Sequence, residues 1–290
     1  MEEVQLLIGD RDTPAKKSAT FERRNPVTGE VVSRAAAASV EDAIAAVEAA
    51  EKAFPAWSAL GPNARRAKLL KAADLLESRA AQFATLVTAE TGATIGWGHF
   101  NVHFAATLLR EAAAMTTQIT GEVIPSDVPG LFSMAIRQPV GVVLGIAPWN
   151  APVILGVRAI AMPLACGNTV ILKSSEVCPA THRLIGSVFR EAGLGEGVVN
   201  VVSHDPKDAS EVVEAMIAHP AVRRVNFTGS SRVGRLIAQT AAKYLKPVLL
   251  ELGGKAANIV FDDAPIDQAV EGIVNGIFFN QGHVCCAGSR

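Results

Sequence analysis

Two adjacent cysteines, Cys285 and Cys286, make up half of the four cysteines in this 290-residue chain. They follow Asn280-Gln281-Gly282, which ends the i, i+3, i+4, i+7 apolar pattern of a predicted helix. A thiol in a loop is more accessible than one on an apolar helix face, and its thiolate is a nucleophile. The pair therefore marks a candidate nucleophile loop, whereas Cys166 and Cys178 are interpreted as inert, small hydrophobic residues.

Two further polar residues follow apolar runs and could assist such a nucleophile. Glu251 ends the apolar run 247–250, and apolar neighbours make a carboxylate a stronger base, which suits general base catalysis near neutral pH. Asn150 follows the stiff Pro148-Trp149, and its side-chain amide could donate a hydrogen bond to a developing oxyanion. Each residue has a plainer alternative: an ion-paired structural Glu251, and an Asn150 that caps the helix beginning at Pro152.

Two motifs could hold a dinucleotide. Lys173 and Glu176 follow a predicted strand and could bind a ribose, where a carboxylate would repel a 2′-phosphate and favour NAD over NADP. Gly229-Ser-Ser-Arg-Val-Gly234 joins a strand to a helix; one glycine permits a tight turn, the other close helix packing, and the helix N-terminus offers N–H groups to a phosphate. It is neither a Walker A loop nor G-x-G-x-x-G. Taken singly, these motifs could equally be a charged surface loop and a plain turn.

These residues lie where predicted strands meet predicted helices. After residue 141, short unbroken apolar runs alternate with helical segments, which is typical of strands buried on both faces of a parallel sheet. We therefore predict an α/β fold with a doubly wound, Rossmann-like parallel sheet. The predicted strands are 142–146, 169–172, 198–202, 224–227 and 247–250, and the predicted helices are 152–166, 179–192, 209–219 and 232–243. Ligands of such sheets bind outside the carboxyl ends of the strands, so the candidate residues are expected on one edge.

The first part of the chain has a different pattern. Residues 1–38 are predicted to be extended and loop-like, and Ser39-Val40-Glu41-Asp42 is a capping box that opens the first of three helical stretches. The second stretch runs from Pro62 to Gly92 and the third from about 93 to 117. Two strand patterns around the turn 127–130 then predict a β-hairpin that protrudes as an arm.

The composition argues against several classes of protein. With 49% hydrophobic and 19% charged residues, the chain is expected to be globular rather than disordered. A net charge of −1 gives no electrostatic attraction to nucleic acid or an anionic membrane, and the sequence has neither a long apolar span nor a secretory signal pattern. Cysteine and histidine spacings predict no disulfide framework and no metal site, and a reducing cytoplasm is the expected location.

Together the motifs resemble those of the aldehyde dehydrogenase superfamily, in the same order along nearly the whole chain. The matching stretches are Pro148-Trp149-Asn150, Leu172-Lys173-Ser-Ser-Glu176, Phe227-Thr228-Gly229-Ser230, Glu251-Leu-Gly-Gly-Lys255 and Gln281-Gly-His-Val-Cys285. Five motifs in order are far more specific than any one of them. Two stretches depart from the family pattern: His283-Val284 before the cysteine, and Ser203-His204-Asp205-Pro206, which lacks the usual glycine-rich turn.

The resemblance implies a two-step oxidation through a covalent intermediate. In the family, a cysteine thiolate attacks the aldehyde, an asparagine amide and the cysteine N–H hold the oxyanion, hydride passes to a nicotinamide, and a glutamate activates the water that releases the acid. Carried over, Cys285 rather than Cys286 is the nucleophile, Asn150 the oxyanion donor and Glu251 the base. The implied cofactor residues are Lys173 and Glu176 at the adenosine ribose, Gly229, Ser230 and Gly234 at the pyrophosphate, and Ile146 and Trp149 lining the cleft.

The resemblance also implies the substrate and cofactor. NAD is expected rather than NADP, and the substrate is a small-molecule aldehyde. The stretches 100–103, 109–112, 118–122 and 137–141 are most similar to aromatic-aldehyde members of the salicylaldehyde or vanillin dehydrogenase type. Glu251 argues against the acyl-CoA-forming branch, which lacks this glutamate.

The implied organisation has three parts: residues 1–120 with 141–250 as the dinucleotide-binding domain, 121–140 as an oligomerisation arm, and 251–290 as the start of a catalytic domain. Family chains continue well beyond the cysteine, so the expectation is an N-terminal portion of a protein that is a homodimer or tetramer when complete. The alternatives are an inactive fragment or a non-catalytic dinucleotide-binding protein. A phosphate-loop NTPase is disfavoured because Gly234 is not followed by Lys and Ser or Thr.

Overall fold

The N-terminal segment, predicted as extended and loop-like, forms five short strands in the computed structural model, which describes residues 1–290. These are β1 Glu2–Val4, β2 Leu6–Ile8, β3 Arg11–Thr13, β4 Thr20–Arg24 and β5 Val31–Ala36. Strand β5 pairs in parallel with β1 and antiparallel with β4 in a small sheet, while β2 and β3 join the main sheet. Three-residue strands are too short to show a period in the sequence, so pattern analysis does not detect them.

Four helices follow: α1 Val40–Ser58, α2 Pro62–Ser78, α3 Ala80–Thr91 and α4 Ile95–Met115. The predicted capping box is confirmed, since the Ser39 hydroxyl accepts from the N–H of Asp42, whose carboxylate accepts from the N–H of Ser39. The second predicted stretch is divided into α2 and α3 at Arg79, which leaves the helical conformation with φ −104° and ψ 18°. No proline or glycine marks this break in the sequence.

The predicted hairpin is confirmed as a separate two-stranded sheet. It pairs β6 Glu122–Ile124 with β7 Ser133–Ala135 in antiparallel register. Its apolar side chains face solvent: Val123, Phe132 and Ile136 are each more than 60% exposed. An apolar surface of this kind is typical of an interaction site.

The remaining chain alternates strands and helices around one seven-stranded sheet. The strands are β8 Val142–Ile146, β9 Thr169–Lys173, β10 Val199–Val202, β11 Val222–Thr228 and β12 Val248–Glu251, and the helices are α5 Pro152–Ala165, α6 Pro179–Ala192, α7 Ala209–Ala218, α8 Ser231–Lys243 and α9 Ile266–Phe278. The order is β12-β11-β8-β9-β10-β2-β3. Strands β8 to β12 are parallel, which confirms the α/β doubly wound prediction, and β2 and β3 add an antiparallel edge that the sequence did not predict.

Helices cover both faces of this sheet. Val143 of β8 packs in a core with α4, α5 and α6, while Val142 and Leu144 pack in a second core with α1, α7 and α8. Successive side chains of a strand point to opposite faces, so β8 must be apolar throughout. The same double coverage explains why β9 and β10 are fully buried.

Glu90, near the end of α3, is buried and caps a distant helix. Its carboxylate accepts from the N–H of Ala180 at 2.9 Å, the N–H of Thr181 at 3.0 Å, the Thr181 hydroxyl at 2.7 Å and the Ser33 hydroxyl at 2.9 Å. The first N–H groups of a helix have no partner within it, so Glu90 supplies the cap that α6 lacks. Burial raises the pKa of Glu90, and the four donors act in the opposite direction.

We expect Glu90→Ala to lower the free energy of unfolding by about 3 kcal/mol or more, because it leaves several buried donors without a partner. Glu90→Gln keeps the size and one acceptor, so its loss is expected to be smaller. Urea unfolding at neutral pH measures both. The exposed Glu48→Ala on α1 serves as control, and an equal stability of the Glu90→Ala and Glu48→Ala variants would contradict the capping role.

Candidate active site

The order of the strands places a crevice next to β8. From β8 the chain continues to β9 and β10 on one side and then crosses to β11 and β12 on the other, so the order reverses between β8 and β11. In open α/β sheets, ligands bind outside the carboxyl ends of the strands at such a reversal. The loops after β8 and β11 are the ones that carry Asn150 and Ser230.

A cleft of about 280 Å³ opens at this point, and we refer to it as the switch-point cleft. It is bounded by the loops after β8, β11 and β12 and by the segment 282–285. The sequence-predicted residues that line it are Trp149, Asn150, Gly229, Ser230, Glu251 and Cys285. The fold therefore brings together residues that lie far apart along the chain.

Asn150 joins three elements at this cleft. Its Nδ2 donates to the carbonyl oxygen of His283 at 2.7 Å, and its own carbonyl oxygen accepts from Trp97 Nε1 at 2.9 Å and from Asn280 Nδ2 at 2.8 Å. Helix α5 begins after Ala151 without a side-chain cap, so the helix-cap alternative for Asn150 is wrong. The amide carries a second hydrogen that makes no hydrogen bond within the chain.

The cysteine loop is held from both sides. Gln281 Nε2 donates to the carbonyl oxygen of Gly92 at 3.2 Å, and the His283 ring packs edge-on against Trp149 with centroids 5.0 Å apart. Cys285 and Cys286 are both exposed, but only Cys285 lines the switch-point cleft. The two neighbouring thiols therefore differ in whether they line the cleft.

The other two cysteines differ from each other. Cys178 is buried, and burial raises the pKa of its thiol well above the usual value, as expected for an inert residue. Cys166 is exposed, although partial burial still raises the pKa of its thiol. It follows the last residue of α5, where the helix leaves its core.

The position of Glu251 agrees with neither interpretation of the sequence, a carboxylate among apolar side chains or an ion-paired structural residue. Its side chain is exposed and makes no ion pair, although its carbonyl oxygen accepts from the N–H of Gly229 at 3.0 Å. The apolar neighbours in sequence do not surround the carboxylate, because β12 is the edge strand and pairs only with β11. Its side chains alternate between half-buried and exposed, which corrects the prediction of a strand buried on both faces.

A second, mostly apolar pocket of about 240 Å³ lies between α7 and α8. The sequence-predicted Ile146 and Lys173 line it, together with Phe227 and Val233. Burial lowers the pKa of Lys173, whose Nζ lies 3.9 Å from Glu176 Oε2. The Lys173 ammonium donates no hydrogen bond within the chain and forms only this long ion pair with Glu176, so it is available to a polar ligand.

The start of α8 separates the two pockets. Ser230 is its N-cap, and the Ser230 hydroxyl accepts from the N–H of Val233 at 3.3 Å. A Cβ at Gly229 would lie 2.5 Å from the Phe227 ring, and one at Gly234 would lie 2.5 Å from Leu252. Gly229 is thus required by a close approach rather than by a positive φ. Gly234 lines neither pocket and allows α8 to pack closely on the segment after β12.

A row of aromatic side chains was not predicted. Trp97 stacks on Phe100 with centroids 5.3 Å apart, Phe100 stacks on Phe104 at 5.8 Å, and Phe279 packs edge-on against Trp97 at 5.2 Å. Trp97 is buried, whereas the three phenylalanines are between 39% and 51% exposed. The signal in the sequence was three aromatic residues at helical spacing in a chain with only 5% aromatic residues.

Comparisons with known proteins match this chain to longer relatives. The model of the aldehyde dehydrogenase family matches residues 13–290. The chain is 66% identical over 287 residues to a vanillin dehydrogenase of Pseudomonas sp. strain HR199 / DSM 7063, which covers 99% of this chain and 60% of that protein.

Solved structures agree with the sequence comparison. The crystal structure of a salicylaldehyde dehydrogenase from Pseudomonas putida G7 complexed with salicylaldehyde superposes with a TM-score of 0.97 at 48% identity, covering 99% of this chain and 59% of that one. PnpE in complex with nicotinamide adenine dinucleotide gives 0.94 at 41% identity, covering 99% and 58%. The chain therefore spans about 60% of the length of the vanillin dehydrogenase it matches.

We expect Asn150→Ala to speed hydrogen exchange about fivefold at the amides of Gly282, His283 and Ala287, since one neutral hydrogen bond contributes about 1 kcal/mol. Mass spectrometry of peptides covering 279–290 measures this. The exposed Asn63→Ala on α2 is the matched control and should change nothing. If hydrogen exchange in β8 became faster by the same factor, the variant would be globally destabilised, which would contradict a local role of Asn150.

Proposed function

The chain belongs to the aldehyde dehydrogenase family, and we propose that it oxidises an aromatic aldehyde to the carboxylic acid with NAD, through a covalent intermediate on Cys285. The observation that carries this proposal is that Cys285, Glu251 and Asn150 line one cleft at the reversal point of the sheet. A nucleophile, a base and an oxyanion donor in one place fit acyl chemistry through a thioester.

The first step uses the thiolate and two N–H donors. The Cys285 sulfur attacks the aldehyde carbon, a C–S bond forms, and the carbonyl oxygen becomes the oxyanion of a thiohemiacetal. The second hydrogen of the Asn150 amide and the backbone N–H of Cys285 make no hydrogen bond within the chain, so both are available to that oxyanion. The contact between Asn150 and the His283 carbonyl orients the amide relative to the cysteine loop.

The second step returns the enzyme to its starting state. Lys173, Glu176 and Ser230 would hold NAD, which would supply the acceptor for the hydride of the thiohemiacetal carbon. Loss of that hydride would leave a thioester on Cys285. Glu251 takes a proton from water, the resulting hydroxide adds to the thioester carbon, and cleavage of the C–S bond releases the acid and the thiolate. The exposure of Glu251 supports this role because water reaches its carboxylate.

The second pocket suits the adenosine half of the cofactor. Its apolar lining between α7 and α8 matches an adenine ring. Lys173 lines this pocket, and its ammonium together with the nearby Glu176 carboxylate matches the two ribose hydroxyls. The N-terminus of α8 lies between the two pockets and favours a pyrophosphate. The Glu176 carboxylate favours NAD because it would repel the 2′-phosphate of NADP.

The substrate class follows from the relatives and from the aromatic row. The matched relatives are named for vanillin and salicylaldehyde. Here, Trp97 at one end of the row donates to the carbonyl oxygen of Asn150, and Phe100 and Phe279 extend from it with exposed rings. Offset and edge-on ring contacts favour an aromatic partner.

The proposal extends to organisation and assembly. Residues 1–120 and 141–250 are assigned to the cofactor domain, 251–290 to the start of the catalytic domain, and 121–140 to an arm. The exposed apolar side chains of the hairpin support its role as an oligomerisation arm in a homodimer or tetramer. Among the helices of this chain, none combines the length and apolar character needed to cross a membrane.

We expect Cys285→Ala to reduce NADH formation from NAD and vanillin-type aldehydes on the order of 10³-fold or more, because no other group can form the thioester. Cys286→Ala is the matched control and should retain activity within about twofold, since Cys286 lies outside the cleft. NADH absorbance measures the rates, and calorimetry measures NAD binding. If the unmodified chain binds NAD and forms no NADH, the alternative of a non-catalytic dinucleotide-binding protein is supported instead.

Removing the carboxylate at the ribose should relax the preference for NAD. We expect Glu176→Gln to tighten NADP binding about tenfold, because the repulsion of the 2′-phosphate is lost. Calorimetric Kd values for both cofactors measure the change. Glu211→Gln, an exposed residue on α7, is the control; an unchanged NADP affinity in Glu176→Gln would argue against the ribose assignment.

A further inference from the structure

Beneath the carboxyl edge of the sheet, one buried histidine bonds the start of α5 and the loop after β9. His182 lies in the first turns of α6 and is fully buried. Its Nε2 lies 3.1 Å from the carbonyl oxygen of Pro152, and its Nδ1 accepts from the backbone N–H of Ser175 at 3.1 Å. The Ser174 hydroxyl lies 3.2 Å from the same Nδ1. No sequence motif singled out this residue.

The contacts fix the form of the ring. A carbonyl oxygen can only accept, so Nε2 must carry the hydrogen that it donates to Pro152. Nδ1 then carries the lone pair that accepts from the Ser175 N–H, and the imidazole is neutral. Burial lowers the pKa of His182 to about 3, and the positive charge of Lys173 acts in the same direction. The Cys178 thiol beside the ring is also neutral, because its pKa is raised.

The two bonded loops are those that carry the proposed site. Ser175 lies between Lys173 and Glu176, and Pro152 follows the Asn150 turn by two residues. The ladder between β8 and β9 ends at the pair Ile146 and Lys173. One further backbone hydrogen bond follows, from the N–H of Ala147 to the carbonyl oxygen of Lys173 at 3.3 Å. Farther along, the His182 ring bonds Ser175 after β9 and Pro152 at the start of α5.

Close packing of α6 against α5 places the His182 ring next to these two segments. A Cβ at Gly156 would lie 2.6 Å from Ile185 Cδ1 and 3.2 Å from His182 Cδ2. A side chain at position 156 would therefore displace the Ile185 methyl group and press on the His182 ring where α5 meets α6. The hydrogen bonds of Glu90 to Ala180 and Thr181 fix the start of α6 from the other side. These contacts hold the start of α6, the helix that carries the ring.

From these contacts we infer that His182 is a positioning residue, which sets the Lys173–Glu176 loop relative to the Asn150 turn so that one dinucleotide can reach both. The inference rests on the proposed function. Loss of the ring's two hydrogen bonds leaves the Ser175 N–H buried without a partner, and the loop must shift to satisfy it. The effect is expected on cofactor binding and less on the chemical step.

The test compares His182→Leu, which fills the space without hydrogen bonds, with His182→Gln, whose amide can donate to Pro152 and accept from Ser175. We expect the leucine variant to raise the calorimetric Kd for NAD about tenfold and the glutamine variant to stay within about threefold of the unmodified chain. In a catalytically active preparation, the leucine variant should raise KM for NAD and change kcat less than about threefold.

Ile185→Val is the matched core control, since Ile185 is fully buried on the same helix and contacts the same glycine without polar atoms. It should lower stability and leave the Kd for NAD unchanged. Hydrogen exchange at Ser175 should speed up in His182→Leu and not in Ile185→Val. If His182→Leu does not fold, His182→Asn replaces it, because its shorter amide reaches only one partner and should give an intermediate Kd.

Two results would overturn the inference while leaving the proposed function intact. One is an unchanged Kd for NAD in His182→Leu, and the other is an equal rise in His182→Leu and Ile185→Val, which would show a loss of stability alone. Failure of the unmodified chain to bind NAD would instead overturn the proposed function, and the inference with it. Restoration of NAD binding in His182→Gln supports the positioning role of His182.

Discussion

The parallel pairing of β8 with β9 on one side and β11 on the other is the constraint on which the site depends. In a parallel sheet all carboxyl ends lie on one edge, so the loops that follow these strands must emerge together. Because the strand order reverses beside β8, two of those loops diverge and leave a crevice between them. The residues that line the crevice need not be close in sequence, since the sheet determines where each loop begins.

Beyond the ends of the ladders, hydrogen bonds from distant elements hold the loops. Asn150 is bonded to α4, to Asn280 and to the cysteine loop. Glu90 caps α6. His182, on the same helix, bonds Pro152 at the start of α5 and Ser175 in the loop after β9. Each of these groups is costly to leave unpaired when buried, so each bond restrains a backbone that the sheet no longer restrains. Hydrogen bonds of this kind restrain the cleft in the absence of a ligand.

Local patterns in the sequence predicted most elements of this fold. The five parallel strands and the helices between them have apolar runs or helical spacing long enough to show a period, and a capping box marks the start of α1. The short strands β1, β2 and β3 offered no such signal, because their conformation is set by pairing with distant strands. The break between α2 and α3 at Arg79 also lacks a proline or glycine that would mark it.

For the candidate site, the sequence alone determined which residue types lie at the ends of the strands: an amide after β8, a lysine that ends β9 and a carboxylate after it, and a hydroxyl after β11. It also determined that two cysteines follow α9. The tertiary structure decided which of them meet. It placed Cys285 and not Cys286 in the cleft, and it left Glu251 exposed because β12 is an edge strand. It also joined Trp97 and His182 to the site through hydrogen bonds. The physical reason is that strand order and buried hydrogen bonds depend on contacts between distant residues, whereas periodicity records only the neighbours of each residue along its own helix or strand.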